Sequence, residues 1–259
     1  MATTMRRARR SRDELHELLL QEGRAILADE GLEAGSSNLT FKRVFDRLEA
    51  KTGERITNAS VIRRVWENQV DFQTDVLVSV AQDEARPEAG GAVEAIASLL
   101  ADLDLSTPES RARAVREVCR VGGTASSTAI QGSSNWPLWI SVMALATATA
   151  SPEQQQRIKS GLAEGYESLT EFWRGNFEAL MATLGLRPRP GATLDQFVLA
   201  VIALSEGCSL RQRTSDHIEV MVRPTGPDGE DQEWSLFACG LEALVNHFME
   251  PDPDAIPPT

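Results

Sequence analysis

The stretch "ITNASVIRRVWENQ", residues 56 to 69, sets Arg63 and Arg64 behind Thr57, Asn58 and Ser60. Short hydroxyl and amide side chains at a helix start can cap the helix. They can equally reach base edges in the major groove of DNA while adjacent arginines take phosphates or guanine. Two uses therefore fit the same residues, a capped helix with a solvated cationic face and a face that reads DNA. Arg6, Arg7, Arg9 and Arg10 add a basic arm ahead of the first helix, which can lie along phosphates, enter a minor groove or remain a solvated tail. Thr40, Lys42 and Asn68 complete the set of candidate DNA contacts.

Catalysis has little to hold on to. His16, His217 and His247 lack metal-ligand spacing, and the sequence has no H-E-x-x-H, G-x-S-x-G or P-loop motif. The glycines of "EAGG" and "VGGTAS" follow no strand, so they are not phosphate loops. The reading is of a protein that is not an enzyme, with no catalytic residues, no metal and no cofactor.

Charge distribution says more than the total of −12 in 259 residues. Residues 1–66 hold 13 Lys and Arg against 10 Asp and Glu, a net +3, whereas the remainder holds 13 against 28, a net −15. A basic face can thus be presented by an acidic chain, which is what operator binding requires. No apolar run approaches the roughly 20 residues that span a bilayer, and the arginine-rich start leads into acidic residues where a signal peptide would be apolar. The expectation is a cytoplasmic protein without a membrane partner. Cys119, Cys208 and Cys239 are odd in number and set in apolar helical surroundings, as reduced core thiols would be.

The elements that must position the basic residues are helical. Ser11 caps a first helix over 13–30 with apolar Leu15, Leu18, Leu19, Ile26 and Leu27, and Gly31 ends it. Thr40 caps a second, in which Phe41, Val44, Phe45 and Leu48 recur every three or four residues until Gly53. Thr57 or Asn58 opens a third, with Val61, Ile62 and Val65 on its inner side. Three such helices make a helix-turn-helix domain whose last helix presents its N-terminal residues to DNA.

"LLLQEGRAILADEG", the Thr40 cap and "ITNASVIRRVWENQVDFQTDVL" together resemble the DNA-binding domain of the TetR family of bacterial transcriptional regulators. Ile56, Thr57, Ala59, Ser60, Val61, Arg63 and Arg64 follow the recognition-helix pattern, and Trp66 and Asn68 take the aromatic and cap positions after one inserted residue. Ile62 and Gln69 stand where the family usually carries tyrosine and lysine. The resemblance implies an all-α chain, with a helix-turn-helix domain over 1–68 and a helical effector-binding and dimerisation domain over 69–250. Residues 251–259 would form a disordered tail. It further implies a double-stranded DNA operator, a small-molecule effector and a homodimer, hence a ligand-responsive regulator, a repressor released by an apolar or aromatic compound. A helical protein-interaction module that has lost DNA binding is the alternative.

Beyond residue 77 the resemblance is architectural, with helices expected at about 92–104, 108–121, 136–149, 152–184, 193–212 and 233–249. "ARPEAGG" at 85–91 reads as a break between domains, "VGGTASS" at 121–127 as an interruption that kinks a helix or leaves ligand space, and "RPTGPDGEDQ" at 223–232 as an exposed loop. Leu204 and Cys208 on one helix, and Phe237, Leu241, Leu244 and Phe248 on another, form stripes for a four-helix dimer interface or for the protomer's own core. Trp136, Trp139, Met143, Trp173, Phe177 and Met181 are large or flexible enough to line an effector cavity, or to be core.

Overall fold

The computed structural model describes residues 10–32, 36–53, 55, 61, 64–82, 86–148, 151–215, 220–226 and 229–255, with the side chains of 86–89 outside the description. Helix dominates: α1 (Arg12–Glu30), α2 (Phe41–Thr52), α3 (Gln69–Gln82), α4 (Arg86–Asp102), α5 (Pro108–Gly132), α6 (Trp136–Ala148), α7 (Pro152–Leu184), α8 (Leu194–Thr214) and α9 (Leu236–Phe248). Strands β1 (Leu186–Pro188) and β4 (Met249–Pro251) pair antiparallel, as do β2 (Val220–Pro224) and β3 (Asp231–Ser235). None of the helices described is long and apolar enough to cross a membrane.

The chain divides into two compact units, residues 1–83 with 134–165, and residues 84–133 with 166–259. Local signals place the first helices. Ser11 accepts from the Glu14 amide and the Glu14 side chain returns a bond to Ser11, closing a capping box at the start of α1. Thr40 accepts from the Arg43 amide to start α2, and Gly53 ends it at φ +69°, a left-handed turn that glycine enters without strain. Leu15, Leu19, Ile26, Leu27, Phe41, Val44, Phe45, Leu48, Phe72, Val76 and Leu77 form the core among α1, α2 and α3. Gly23 admits α3 to this core, since a Cβ there would stand 2.7 Å from the Val76 side chain.

The second unit holds α4, α5, the 166–184 part of α7, α8, α9 and the strands. Its core gathers Cys119, Phe197, Val201, Cys208, Trp234, Phe237, Ala238, Leu241 and Met249. Three sequence expectations change here. The supposed break at 85–91 is helical from Arg86, because Pro87 suits the first turn of a helix and Gly90 and Gly91 are carried within α4. The supposed interruption at 121–127 lies inside a continuous α5, where Gly122 and Gly123 bring neighbours close: an added Cβ would meet Ile96 at 2.7 Å and the Ala238 Cα at 2.7 Å. Of the loop expected at 223–232, residues 223–224 and 231–232 instead belong to the strands of the β2–β3 hairpin, drawn in by Trp234, which is wholly buried and donates to Thr225 Oγ1 at 2.8 Å. Within the segment expected as a tail, Pro251 pairs with Leu186 and the Asp252 amide donates to the Gly185 carbonyl.

Candidate nucleic-acid interface and effector cavity

Of the candidate DNA contacts, Arg6, Arg7, Arg9, Thr57, Asn58, Ser60 and Arg63 lie outside the described residues. Among the described residues, Trp66 organises an aromatic cluster. Val61 is fully buried, and the amides of Arg64 and Val65 donate to its carbonyl, one turn ahead of Trp66. Trp66 stacks on His16 at 4.9 Å between ring centroids, meets Phe72 edge-on at 4.9 Å and lies 6.2 Å from Phe41. Its indole Nε1 donates to Asp75 Oδ2 at 2.7 Å. Asp75 also pairs with Arg157 of α7 and stands 3.4 Å from His16 Nε2, so one carboxylate of α3 gathers partners from α1, α7 and the end of the 56–65 segment. Asn68 accepts from the Asp71 amide at 3.0 Å and caps α3.

The cations sort into two groups. Arg43 pairs with Glu30, Arg47 with Asp29 at 2.6 Å, and Lys51 reaches both oxygens of Glu22 at 2.7 Å. Glu22 is buried, and Lys51 with Arg47 supplies the counter-charge that makes its burial tolerable. These cations hold α2 to α1. Lys42 is exposed and Arg64 and Arg10 are half-buried, while Thr40 spends its hydroxyl oxygen on the α2 cap. Sequence reasoning passed over Glu22, because a lone glutamate inside an apolar stripe reads as a surface residue until its two cations arrive from another helix.

No protein-family model matches the sequence, and no curated protein matches it. The fold is similar to that of a TetR-family transcriptional regulator from Cytophaga hutchinsonii, with 13% sequence identity over 93% of this chain and 98% of that one, at a TM-score of 0.47. That likeness gives no residue a role.

The six candidate effector residues divide between the units. Trp136, Trp139 and Met143 belong to the first, where Trp136 is buried and stacks on Trp139 at 5.4 Å. Trp173, Phe177 and Met181 belong to the second, with Trp173 stacked on Phe177 at 5.5 Å and Phe177 edge-on to Phe197 at 5.0 Å. Phe177 and Met181 line an apolar cavity of about 50 Å³ with Phe197, Cys119 and Leu241. Burial beside Glu242 pushes the Cys119 thiol up to about 12, so it stays protonated and inert at neutral pH. A half-buried polar pair lies on α7 and α8, where Tyr166 donates to Glu206 at 2.8 Å and burial raises the carboxyl of Glu206 above its ordinary range.

The candidate dimer residues are buried or half-buried in their own protomer. Cys208, Phe237 and Leu241 are buried in the core of their own protomer, and Leu204, Leu244 and Phe248 pack against it. Gly240 lets α9 approach Leu204 of α8, where a Cβ would stand 2.7 Å from a Leu204 methyl. The apolar residues that α8 leaves outside are Leu199, 62% exposed, Leu210, 45% exposed, and Ala203 between them. Recurrence every three to four residues made the inner stripe legible, but periodicity is blind to which of two apolar faces the protomer itself covers.

Proposed function

We propose that this chain is a DNA-binding transcriptional regulator, a repressor that holds a palindromic operator as a homodimer and is released by a small-molecule effector. The observation that carries this reading is the Trp66 cluster. It fastens the chain directly after the 56–65 segment onto a helical core in which Arg43, Arg47 and Lys51 are paired with carboxylates. The segment's arginines belong to a basic first quarter in an otherwise acidic chain, as a DNA-facing surface needs. The experiment is a mobility-shift assay with fragments of the source genome retained by the purified protein. Deleting residues 1–10 should weaken binding and flatten the plot of log affinity against log salt by about 0.9 for each phosphate the arm no longer neutralises. An unchanged slope would remove the arm from the interface, and no retained fragment would favour the interaction-module alternative.

Two-fold symmetry suits a palindromic site with half-sites roughly 34 Å apart. The outer stripe of α8, Leu199, Ala203 and Leu210, offers an exposed apolar surface to a second copy. Leu199→Glu combined with Leu210→Glu is expected to give a folded monomer in sedimentation that no longer protects a full palindrome. Retention of the dimer would exclude this face. Leu241→Glu should instead unfold the protomer, because its carboxylate would enter the core unpaired.

A further inference from the structure

The small apolar cavity is not isolated. A second cavity of about 260 Å³ opens beside it, between α5, the turn after α7, the β1–β4 pair and α9. Val115, Leu184, Leu186, Val245 and Met249 line both, so the two share an apolar wall. The outer mouth is charged. Arg111, Arg116 and Arg189 line it together with Glu242, Glu250 and Asp252.

The arginines at this mouth are loosely engaged. Glu242 is claimed by Arg223 and Glu250 by Arg187 at 2.9 Å, both from outside the cavity. Arg116 stands 3.4 Å from Glu242 and Arg189 3.9 Å from Glu250, the longer contact in each case. Arg189 also donates to the Asn246 carbonyl at 3.3 Å, and Arg111 to the Leu105 carbonyl at 3.1 Å, each through one nitrogen of a group that carries five N–H donors. Arg111, Arg116 and Arg189 thus face Glu242, Glu250 and Asp252 in a charge-balanced mouth over an apolar floor, and Arg223 and Arg187 hold the two glutamates from outside it.

We propose that the outer cavity binds a small carboxylate with an apolar body, its head on Arg116 and Arg189 and its body against the wall shared with the inner cavity. Guanidinium groups take a carboxylate through paired N–H bonds, which a neutral head cannot match. The outer cavity's volume of about 260 Å³ lies just under that of ligand pockets, roughly 300 to 1,000 Å³, which limits the body to a short chain or a single ring. This deepens the effector role proposed above and names a chemical class for it. Met181 and Phe177 line only the inner cavity, and none of the Trp136 group lines either.

The test is calorimetric titration of the full-length protein, without DNA, with octanoate and separately with octan-1-ol. Octanoate is expected to bind at least about tenfold more tightly, the ratio one charge-assisted contact supports. Arg116→Gln with Arg189→Gln should bring octanoate down to the level of octan-1-ol while leaving the melting temperature in place, since both side chains are nearly half exposed. No heat with octanoate, equal affinity for the alcohol, or an unaffected double variant would each overturn the proposal. Because the titration contains no DNA, its failure is separate from failure of the DNA-binding reading, which the mobility shift tests.

Discussion

Trp234→Ala is expected to destabilise the chain by about 3 to 5 kcal/mol, the range for removing a large aromatic side chain from a core. The indole is fully buried, lies opposite Met221 in the β2–β3 register, and carries the Arg223 guanidinium 4.4 Å above its ring. Its Nε1 donates to Thr225, whose hydroxyl in turn donates to Gln232, so the ring also closes the hairpin from within. For a chain of this size the loss corresponds to a melting temperature lower by roughly 10 °C. Trp234→Phe keeps an apolar ring and gives up one hydrogen bond, so its cost should be nearer 1 kcal/mol. Thermal denaturation followed by circular dichroism separates the two. If Trp234→Ala melted with the parent protein, the hairpin would not be anchored to the core.

Gly165→Ala and Gly175→Ala should have opposite signs although both lie in α7. Alanine is favoured over glycine inside a helix by about 1 kcal/mol, and at Gly175 nothing stands within 4 Å of the new methyl, so that gain is realised. At Gly165 a Cβ would collide with the carbonyl oxygen of Ala81 on α3, a backbone atom that cannot rotate away. Overpacking of this kind costs typically 1 to 3 kcal/mol and here exceeds the propensity term, with Gly165→Leu worse again. Gly161 stands one turn earlier, where a Cβ would lie 3.0 Å from Val78, so the α3–α7 crossing has little room to relax. Urea denaturation of the two alanine variants gives the signs directly, and a stabilised Gly165→Ala would mean that the helices do not cross this closely.

Some of the site was legible because its cause is local. The caps at Ser11, Thr40 and Asn68 and the glycine stops at Gly31 and Gly53 are set by side chains within a few residues of the backbone groups they satisfy. Trp66 was legible as an aromatic in its place, but its bond to Asp75 was not, since the partner lies on the next helix and competes for Arg157 and His16. The guanidiniums around the outer cavity were invisible for the same reason. Arg111, Arg116 and Arg189 are spread along the sequence and converge only when α5 packs beside α9 and the β1–β4 pair.

By itself the sequence determined the helical class, most helix starts, the inward faces of α1 and α2, and a basic first quarter set against an acidic remainder. Those properties follow from caps, from a period near 3.6 and from composition, all of which act at short range or sum along the chain. Tertiary structure alone decided which glycines break helices and which admit a neighbour: Gly53 ends α2, whereas Gly122 and Gly123 sit mid-helix against Ile96 and Ala238. It decided that Phe237 and Leu241 turn into their own protomer while Leu199 and Leu210 turn out. It also separated Trp136 from Trp173 into different units, although adjacent helices carry them. The physical reason is common to all three: a glycine, an apolar stripe or an aromatic acquires its role from the surface that packs against it, and that surface comes from residues far away in the chain.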